Sequence, residues 1–413
     1  MEHDKLKSEI RERILAGMDF SRDISDDEML ERIDKGIIDY SREQSISLNE
    51  KLRLRKELFY SIRKLDVLQL LVDDSEITEI MVNGMNNIFV EKNGSLYKHE
   101  LKFESAQKLE DVIQQIVSKC NRVVNEASPI VDARLENGAR VNVVLPPVAL
   151  NGPILTIRRF PDTPITMEKL IEFGALRNEL AEYLQTLVKA GYNIFVSGGT
   201  GSGKTTFLNA LSDSIPRDER VITIEDNAEL QILHVPNIVR METRNANVEG
   251  CKPITIRDLI KSSLRMRPDR IVIGEVRGDE CVDMLQAMNT GHISMSTGHA
   301  NTARDMLKRL ETMFLMGMDL PLSAVRGQIA SGIDIIVQLG RLRDRSRKVL
   351  EVCELSGKVE NMTGEIEIKT LFRFHETGTD SNGKIAGEWR CENELESLSK
   401  LEAAGLKLKS YSL

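Results

Sequence analysis

The first seventy residues place apolar side chains three and four positions apart. Ile10, Ile14 and Leu15 recur between charges, then Met29, Leu30, Ile33 and Ile37. Leu48, Leu52, Leu54, Leu58, Ile62, Leu65 and Leu68 carry the pattern on. That spacing predicts helices over residues 1–70. Ser25 followed by Glu28 has the form of a capping box at the start of the second helix. Such a segment serves either as a docking element for a partner or as a small bundle packed on its own chain.

From about residue 75 the pattern shortens to β-rich runs broken by Asn83-Gly84 and Asn93-Gly94, which predict hairpins. A helical stretch follows near Ala106 to Lys119, then strands at Val131 to Leu135, Arg140 to Leu145 and Ile154 to Arg158, with a turn at Asn137-Gly138. Residues 71–160 therefore read as an α+β domain with a mostly antiparallel sheet. Phe160-Pro161-Asp162-Thr163-Pro164 reads as a linker, because two prolines disfavour helix and ladder alike. Over 165–340, helices alternate with the apolar strands Asn193 to Ser197, Val221 to Ile224, Ile271 to Gly274 and Ile333 to Leu339. Alternation of that kind predicts a parallel α/β core. Residues 341–413 add short strands and a closing helix after Asn393.

Length and charge narrow the function classes. A chain of 413 residues suggests two or three domains. Fifty-six basic against sixty-four acidic residues give a net charge of -8, which excludes a general nucleic-acid coat. Aromatics at 4% leave few platforms for stacking single strands. The opening Met1-Glu2-His3-Asp4-Lys5 lacks the apolar core of a signal peptide. Pro146, Pro147, Gly152 and Pro153 break the longest uncharged run, so no transmembrane helix is expected. Five scattered cysteines without a C-x-x-C pair argue against a zinc knuckle and fit a reducing cytosol.

One motif carries the chemistry. Gly198-Gly199-Thr200-Gly201-Ser202-Gly203-Lys204-Thr205 is a full phosphate loop, fed by the strand Ile194-Phe195-Val196 and followed by a helix from about Thr206. Glycines let backbone N–H groups curl round phosphate oxygens, and the helix N-terminus adds its dipole. Lys204 is expected to neutralise the β- and γ-phosphates, and Thr205 to offer its hydroxyl to Mg²⁺. Hydrolysis also needs carboxylates, one to orient water and one to support the metal. Glu225, Asp226 and Glu229 follow one strand, and Glu275 ends another. Both lie at strand C-termini, where open α/β sheets bind ligands. His292 and His299 lie seven apart without a third metal ligand, so an imidazole near the γ-phosphate is the better functional reading. Arg257, Lys261 and Arg265 share a helix face and suit an acidic surface or a phosphate. Arg341, Arg343, Arg345, Arg347 and Lys348 form the one dense basic run, read as an exposed hairpin.

Taken in order, these segments resemble the secretion ATPase superfamily of type II and type IV secretion, pilus assembly and DNA transfer. The resemblance rests on the phosphate loop, ITIEDNAEL (residues 222–230), RMRPDRIVIGEVRG (265–278) and TGHISMSTGHAN (290–301). VDARLENGARVNVVLPP (131–147), LTIRRF (155–160), METRNANVEG (241–250) and TLFRFHETG (370–378) are similar to the Tad/Flp pilus assembly ATPase of CpaF type. The resemblance implies a RecA-like P-loop core behind a PAS-like α+β domain, using ATP and Mg²⁺. It implies Glu229 as the residue orienting water, Glu275 near Mg²⁺ and water, and His292 and His299 as links between nucleotide state and domain position. It implies Arg140 and Arg158 as phosphate contacts from the first domain, with Arg265 and Arg277 as weaker candidates. Gly298 stands where that histidine segment often holds another small or apolar residue, a departure expected to loosen His299 little. The resemblance further implies a cytoplasmic homo-hexamer at the inner face of the membrane. There it would drive a platform protein that extrudes or retracts pilin subunits, with no direct nucleic acid. A type IV or type II traffic ATPase is the alternative, ahead of a nucleic-acid motor or a nucleotide-switched scaffold.

Overall fold

The computed structural model describes residues 2–18, 24–92, 94–120, 122–135, 138–159, 164–244, 252–360, 364–380 and 383–409. The turn residue Asn137, Phe160 to Thr163 of the expected linker, and 245–250 of METRNANVEG lie outside them. Two units divide the chain, Met1–Asp162 and Thr163–Leu413.

The first unit opens with α1 (Glu2–Ala16), α2 (Asp26–Glu43), α3 (Leu48–Arg63) and α4 (Leu68–Asp73). Ser25 and Ser47 cap α2 and α3 by accepting the N–H groups of Glu28 and Glu50, donors that a helix start leaves unpaired. Ile10, Ile14, Met29, Ile33, Ile37, Leu54 and Leu58 close a core between α1, α2 and α3. Leu48 and Leu52 are 72% and 60% exposed, so the apolar pattern of α3 is wider than its buried face. These helices pack on the rest of their own unit: Lys7 pairs with Asp66 at 3.3 Å, Arg11 with Glu104 at 2.7 Å, and Lys108 donates to the Ser61 carbonyl.

Six antiparallel strands follow: β1 (Ile77–Asn83), β2 (Ile88–Lys92), β3 (Ser95–His99), β4 (Ile130–Arg134), β5 (Arg140–Val144) and β6 (Ile154–Arg158). Their spatial order is β3-β2-β1-β6-β5-β4. Strand alternation puts Ile80, Val82, Val141, Val143, Leu155 and Ile157 on one face, where α5 (Ala106–Lys119) covers them with Leu109, Val112, Ile113 and Ile116. On the other face the register lines up Glu79, Arg158, Arg140 and Arg134 across four strands. Burial raises the Glu79 carboxyl above its usual range, and Arg158 beside it opposes that rise.

The second unit contains α6 (Met167–Glu172), α7 (Asn178–Lys189), β7 (Ile194–Gly198), α8 (Lys204–Ser212), β8 (Val221–Glu225) and β9 (Ile238–Glu242). It continues through α9 (Ile256–Ser263), β10 (Arg270–Ile273), α10 (Glu280–Asn289), β11 (Ile293–Gly298), α11 (Ala303–Gly317) and α12 (Leu322–Gly332). β12 (Ile335–Arg341), β13 (Arg347–Val359), β14 (Ile366–Thr379), β15 (Ile385–Cys391) and α13 (Ser399–Ala403) complete it. One nine-stranded sheet runs β15-β14-β13-β12-β7-β11-β10-β8-β9. The strands from β12 to β9 are parallel, and β13 to β15 add antiparallel strands beyond β12. The residues after 341 thus extend the parallel sheet itself, and β13 and β14 reach 13 and 14 residues rather than being short. Helices cover both faces, which is why the central strands read as unbroken apolar runs. Ile194 and Val196 pack into one core, and Phe195 into the other.

Candidate active site

β7 ends at Gly198 and α8 starts at Lys204, so the phosphate loop hangs from the C-terminal end of a central strand. Gly201 and Gly203 have φ of 72° and 90°, a left-handed backbone that glycine adopts without strain. The Ser202 hydroxyl donates to the Gly199 carbonyl at 2.8 Å and staples the loop. Thr205 and Thr206 occupy the first turn of α8.

Lys204 is nearly buried. Its Nζ donates to the Gly199 carbonyl at 3.2 Å and lies 3.0 Å from His299 Nδ1. Burial pulls the Lys204 ammonium below its ordinary pKa, partly offset by Glu275. His299 is also held below the usual histidine value, first by burial and then by the Lys204 and Arg277 charges, against the pull of Glu275. A neutral imidazole accepting from Lys204 carries its proton on Nε2, which lies 2.9 Å from Glu275 Oε1. The two atoms are within ion-pair range, while Oε1 receives no hydrogen bond among the described residues. Glu275 Oε2 accepts from Arg277 at 2.7 Å, and Arg277 lies 3.6 Å from Asp226. The Glu275 hydrogen bond holds the Arg277 guanidinium charged, with Asp226 and Glu229 adding to it.

Lys204, His299, Glu275, Arg277, Asp226 and Glu229 therefore share one charged cluster at the C-terminal edge of the sheet. The buried Glu225 carboxylate fixes the acidic turn by accepting the N–H groups of Glu229 at 2.9 Å and Leu230 at 3.0 Å. Composition gave no sign of this anchoring role, since an acid at a strand end looks the same whether it faces solvent or its own backbone. The donor set fits a magnesium nucleotide. A buried cation stands over the glycine-rich loop, a threonine hydroxyl opens the helix, and the Glu275 oxygen that receives no hydrogen bond offers a hard ligand.

Other expected residues lie elsewhere. His292 precedes β11 while His299 follows it, and six strand residues separate them by roughly 20 Å. His292 therefore does not join the cluster; its N–H donates to the Ala287 carbonyl and closes α10. Arg265 is exposed in the turn entering the other end of β10. Arg257 pairs with Asp279 and Asp283 at 2.8 and 2.6 Å, so its helix faces an acidic surface. Arg140 and Arg158 belong to the first unit, as neighbours on β5 and β6. Gly298 is required by packing: a Cβ there would come within 2.9 Å of the Phe195 ring and 3.0 Å of Met306.

The type II/IV secretion system protein family matches residues 63–392. The chain belongs to that family. It is an ATP hydrolase with a RecA-like core. A putative conjugal transfer protein of Mycobacterium tuberculosis is 34% identical over 307 residues, covering 72% of this chain and 87% of that protein. The type IV secretion system protein VirB11 of Bartonella henselae is 30% identical over 344 residues, covering 73% and 95%. The Legionella pneumophila ATPase DotB shares the fold, with a TM-score of 0.50 at 21% identity over 70% of this chain and 79% of that one. Among the described residues, no helix is long and apolar enough to cross a membrane.

Proposed function

We propose that this protein is the hexameric motor of a Tad/Flp-type pilus machine, which spends ATP to move pilin subunits through an inner-membrane platform protein. The observation that carries the motor reading is the line from Lys204 through His299 to Glu275 and Arg277, which joins the phosphate loop to both acidic strand ends. Lys204 and the loop amides hold the phosphates. Thr205 and Glu275 hold Mg²⁺, which neutralises charge on the transferred phosphoryl group. Glu229 orients the attacking water, on a turn fixed by Glu225. His299 keeps Glu275 in place and reports the position of Lys204. Arg140 and Arg158 supply phosphate contacts from the first unit, so that closure follows the γ-phosphate and relaxes after hydrolysis. The motor then acts from the cytoplasmic face of the membrane, through its partner.

The decisive experiment combines phosphate release with light scattering after size exclusion. A nucleotide-stabilised hexamer that releases phosphate, and loses that activity in Lys204→Ala, supports the motor. A monomer under every nucleotide condition rules it out. A type IV secretion traffic ATPase is the second reading, favoured by the identity to VirB11. Stimulation of turnover by a Tad platform protein in vesicles, but not by a type IV secretion membrane component, supports the pilus assignment; the reverse result supports the second reading.

A further inference from the structure

Four of the five residues in the basic run from Arg341 to Lys348 fall into two pairs. Arg343 binds Glu376, with one contact at 2.7 Å, and the buried Lys348 donates to the Gly174 carbonyl at 2.9 Å. Those two fasten the hairpin to the unit. Arg341 and Arg347 point elsewhere. They are cross-strand partners at the base of the turn between β12 and β13. β12 lies directly beside β7, with Leu339 opposite Gly198, so this base stands against the phosphate loop. Arg347 Nε donates to the Gly201 carbonyl at 2.9 Å. A Cβ built on Gly203 would lie 3.3 Å from Arg347 Cδ, and one on Gly201 would lie 3.6 Å from an Arg341 nitrogen. Both arginine side chains thus run alongside the glycines that shape the loop, most tightly at Gly203.

Like charges directly opposite on paired strands destabilise each other. The Arg341 side chain has no hydrogen bond or ion pair among the described residues, and that of Arg347 has only the Gly201 carbonyl. Both side chains are exposed. An anion beside the loop offsets the repulsion, and the loop's own ligand is a polyphosphate. The Gly201 carbonyl and the Ser202 N–H belong to one rigid peptide plane. A guanidinium on that carbonyl fixes the orientation of the plane, whose N–H donates to the Gly199 carbonyl at 3.3 Å, and so holds the curl of the loop. In a phosphate loop, the backbone N–H groups cradle the α- and β-phosphates, while lysine reaches the β and γ.

We propose that Arg347, backed by Arg341, is a positioning residue for the α- and β-phosphates, acting from the same subunit through the Gly201 peptide. It sets the affinity for ATP and ADP alike, and with it how long ADP stays after hydrolysis. The proposal rests on the ATPase reading of this loop, so the parent and Lys204→Ala are measured alongside. Binding of ADP and of a non-hydrolysable ATP analogue is read by competition against a fluorescent ADP, together with kcat and KM. Arg347→Ala weakens both nucleotides about tenfold, the effect of one charge-assisted contact at an exposed site. Its loss falls on KM, and its melting temperature without nucleotide matches the parent. Arg347→Lys recovers part of the affinity, because the charge returns without the planar donor geometry. Arg341→Ala, whose backbone contacts are untouched, weakens both nucleotides about threefold and carries the test should Arg347→Ala fail to fold. Weakening of the ATP analogue alone overturns the proposal, because it assigns the contact to the γ-phosphate. Unchanged affinities, or a fall in kcat at unchanged affinity, overturn it as well. A parent that releases no phosphate, or a Lys204→Ala variant that matches the parent rate, refutes the ATPase reading instead.

Discussion

Replacing His299 with alanine strengthens the binding of ADP. The Lys204 ammonium lies 3.0 Å from His299 Nδ1, so the imidazole and a phosphate compete for one cation. A hydrogen bond to a charged group contributes about 1.5–3 kcal/mol when shielded. The His299 side chain is 34% exposed, and water screening reduces this to about 1 kcal/mol. Removing that competitor raises the affinity about fivefold. Turnover moves the other way and falls at least about tenfold, because Glu275 loses the neighbour that fixes its carboxylate, and small misplacements of a reacting group are costly. Equilibrium titration with fluorescent ADP at pH 8, beside a phosphate-release assay, reads both effects. Acid acts on the same contact. The folded imidazole is held below its ordinary 6.5. The contact is therefore complete above 6.5 and disappears as pH falls through the folded value, when Nδ1 takes a proton and can no longer accept. Because the unfolded chain takes up that proton first, the stability of the second unit also declines as pH drops below 6.5 toward the folded value. ADP binding at parent strength or weaker in a folded His299→Ala protein refutes the competition between imidazole and phosphate.

Two further substitutions probe the frame around the site. Arg270 is wholly buried at the start of β10, pairing with Glu219 at 2.7 and 2.9 Å and with the Val188 carbonyl at 3.0 Å. Glu219→Ala leaves that guanidinium uncompensated and costs about 3 kcal/mol, a drop of about 6–12 °C in melting temperature. A melt within about 2 °C of the parent contradicts the pairing. In the first unit, Arg140→Ala or Arg158→Ala lowers steady-state turnover at least about tenfold, as loss of an electrostatic contact in the transition state requires. Parent rates in both remove these arginines from the reaction.

Local chemistry was readable where one residue type does one thing. The phosphate loop could be placed from its glycines, Lys204 and Thr205, because few other turns need that pattern after an apolar strand. The helix over Ala106 to Lys119 was readable from its period and matches α5. What sequence could not supply was side-chain direction across strands. His292 and His299 look equivalent seven residues apart, yet the strand between them sends one to each end of the sheet. Glu225 and Glu229 look equally acidic, but Glu225 spends its carboxylate on backbone N–H groups. Arg341 and Arg347 read as a solvated hairpin, because only the pairing of β12 with β7 reveals what stands beside it. Gly298 was expected to loosen His299 little, and the contacts of Phe195 and Met306 give the reason, a tight fit that sequence could not show.

The strand that carries the phosphate loop has a neighbour on each side, β11 and β12. The first leads into His299, a base held below its ordinary value, which takes up its proton on acidification. The second leads into Arg341 and Arg347, which stay cationic at every physiological pH. One wall of the nucleotide seat is thus adjustable and the other constant. Acidification would retune the grip on Lys204 while leaving the hold on Gly201 as it was. The same protein would then respond to its chemical surroundings by changing its pace rather than by letting go of its fuel.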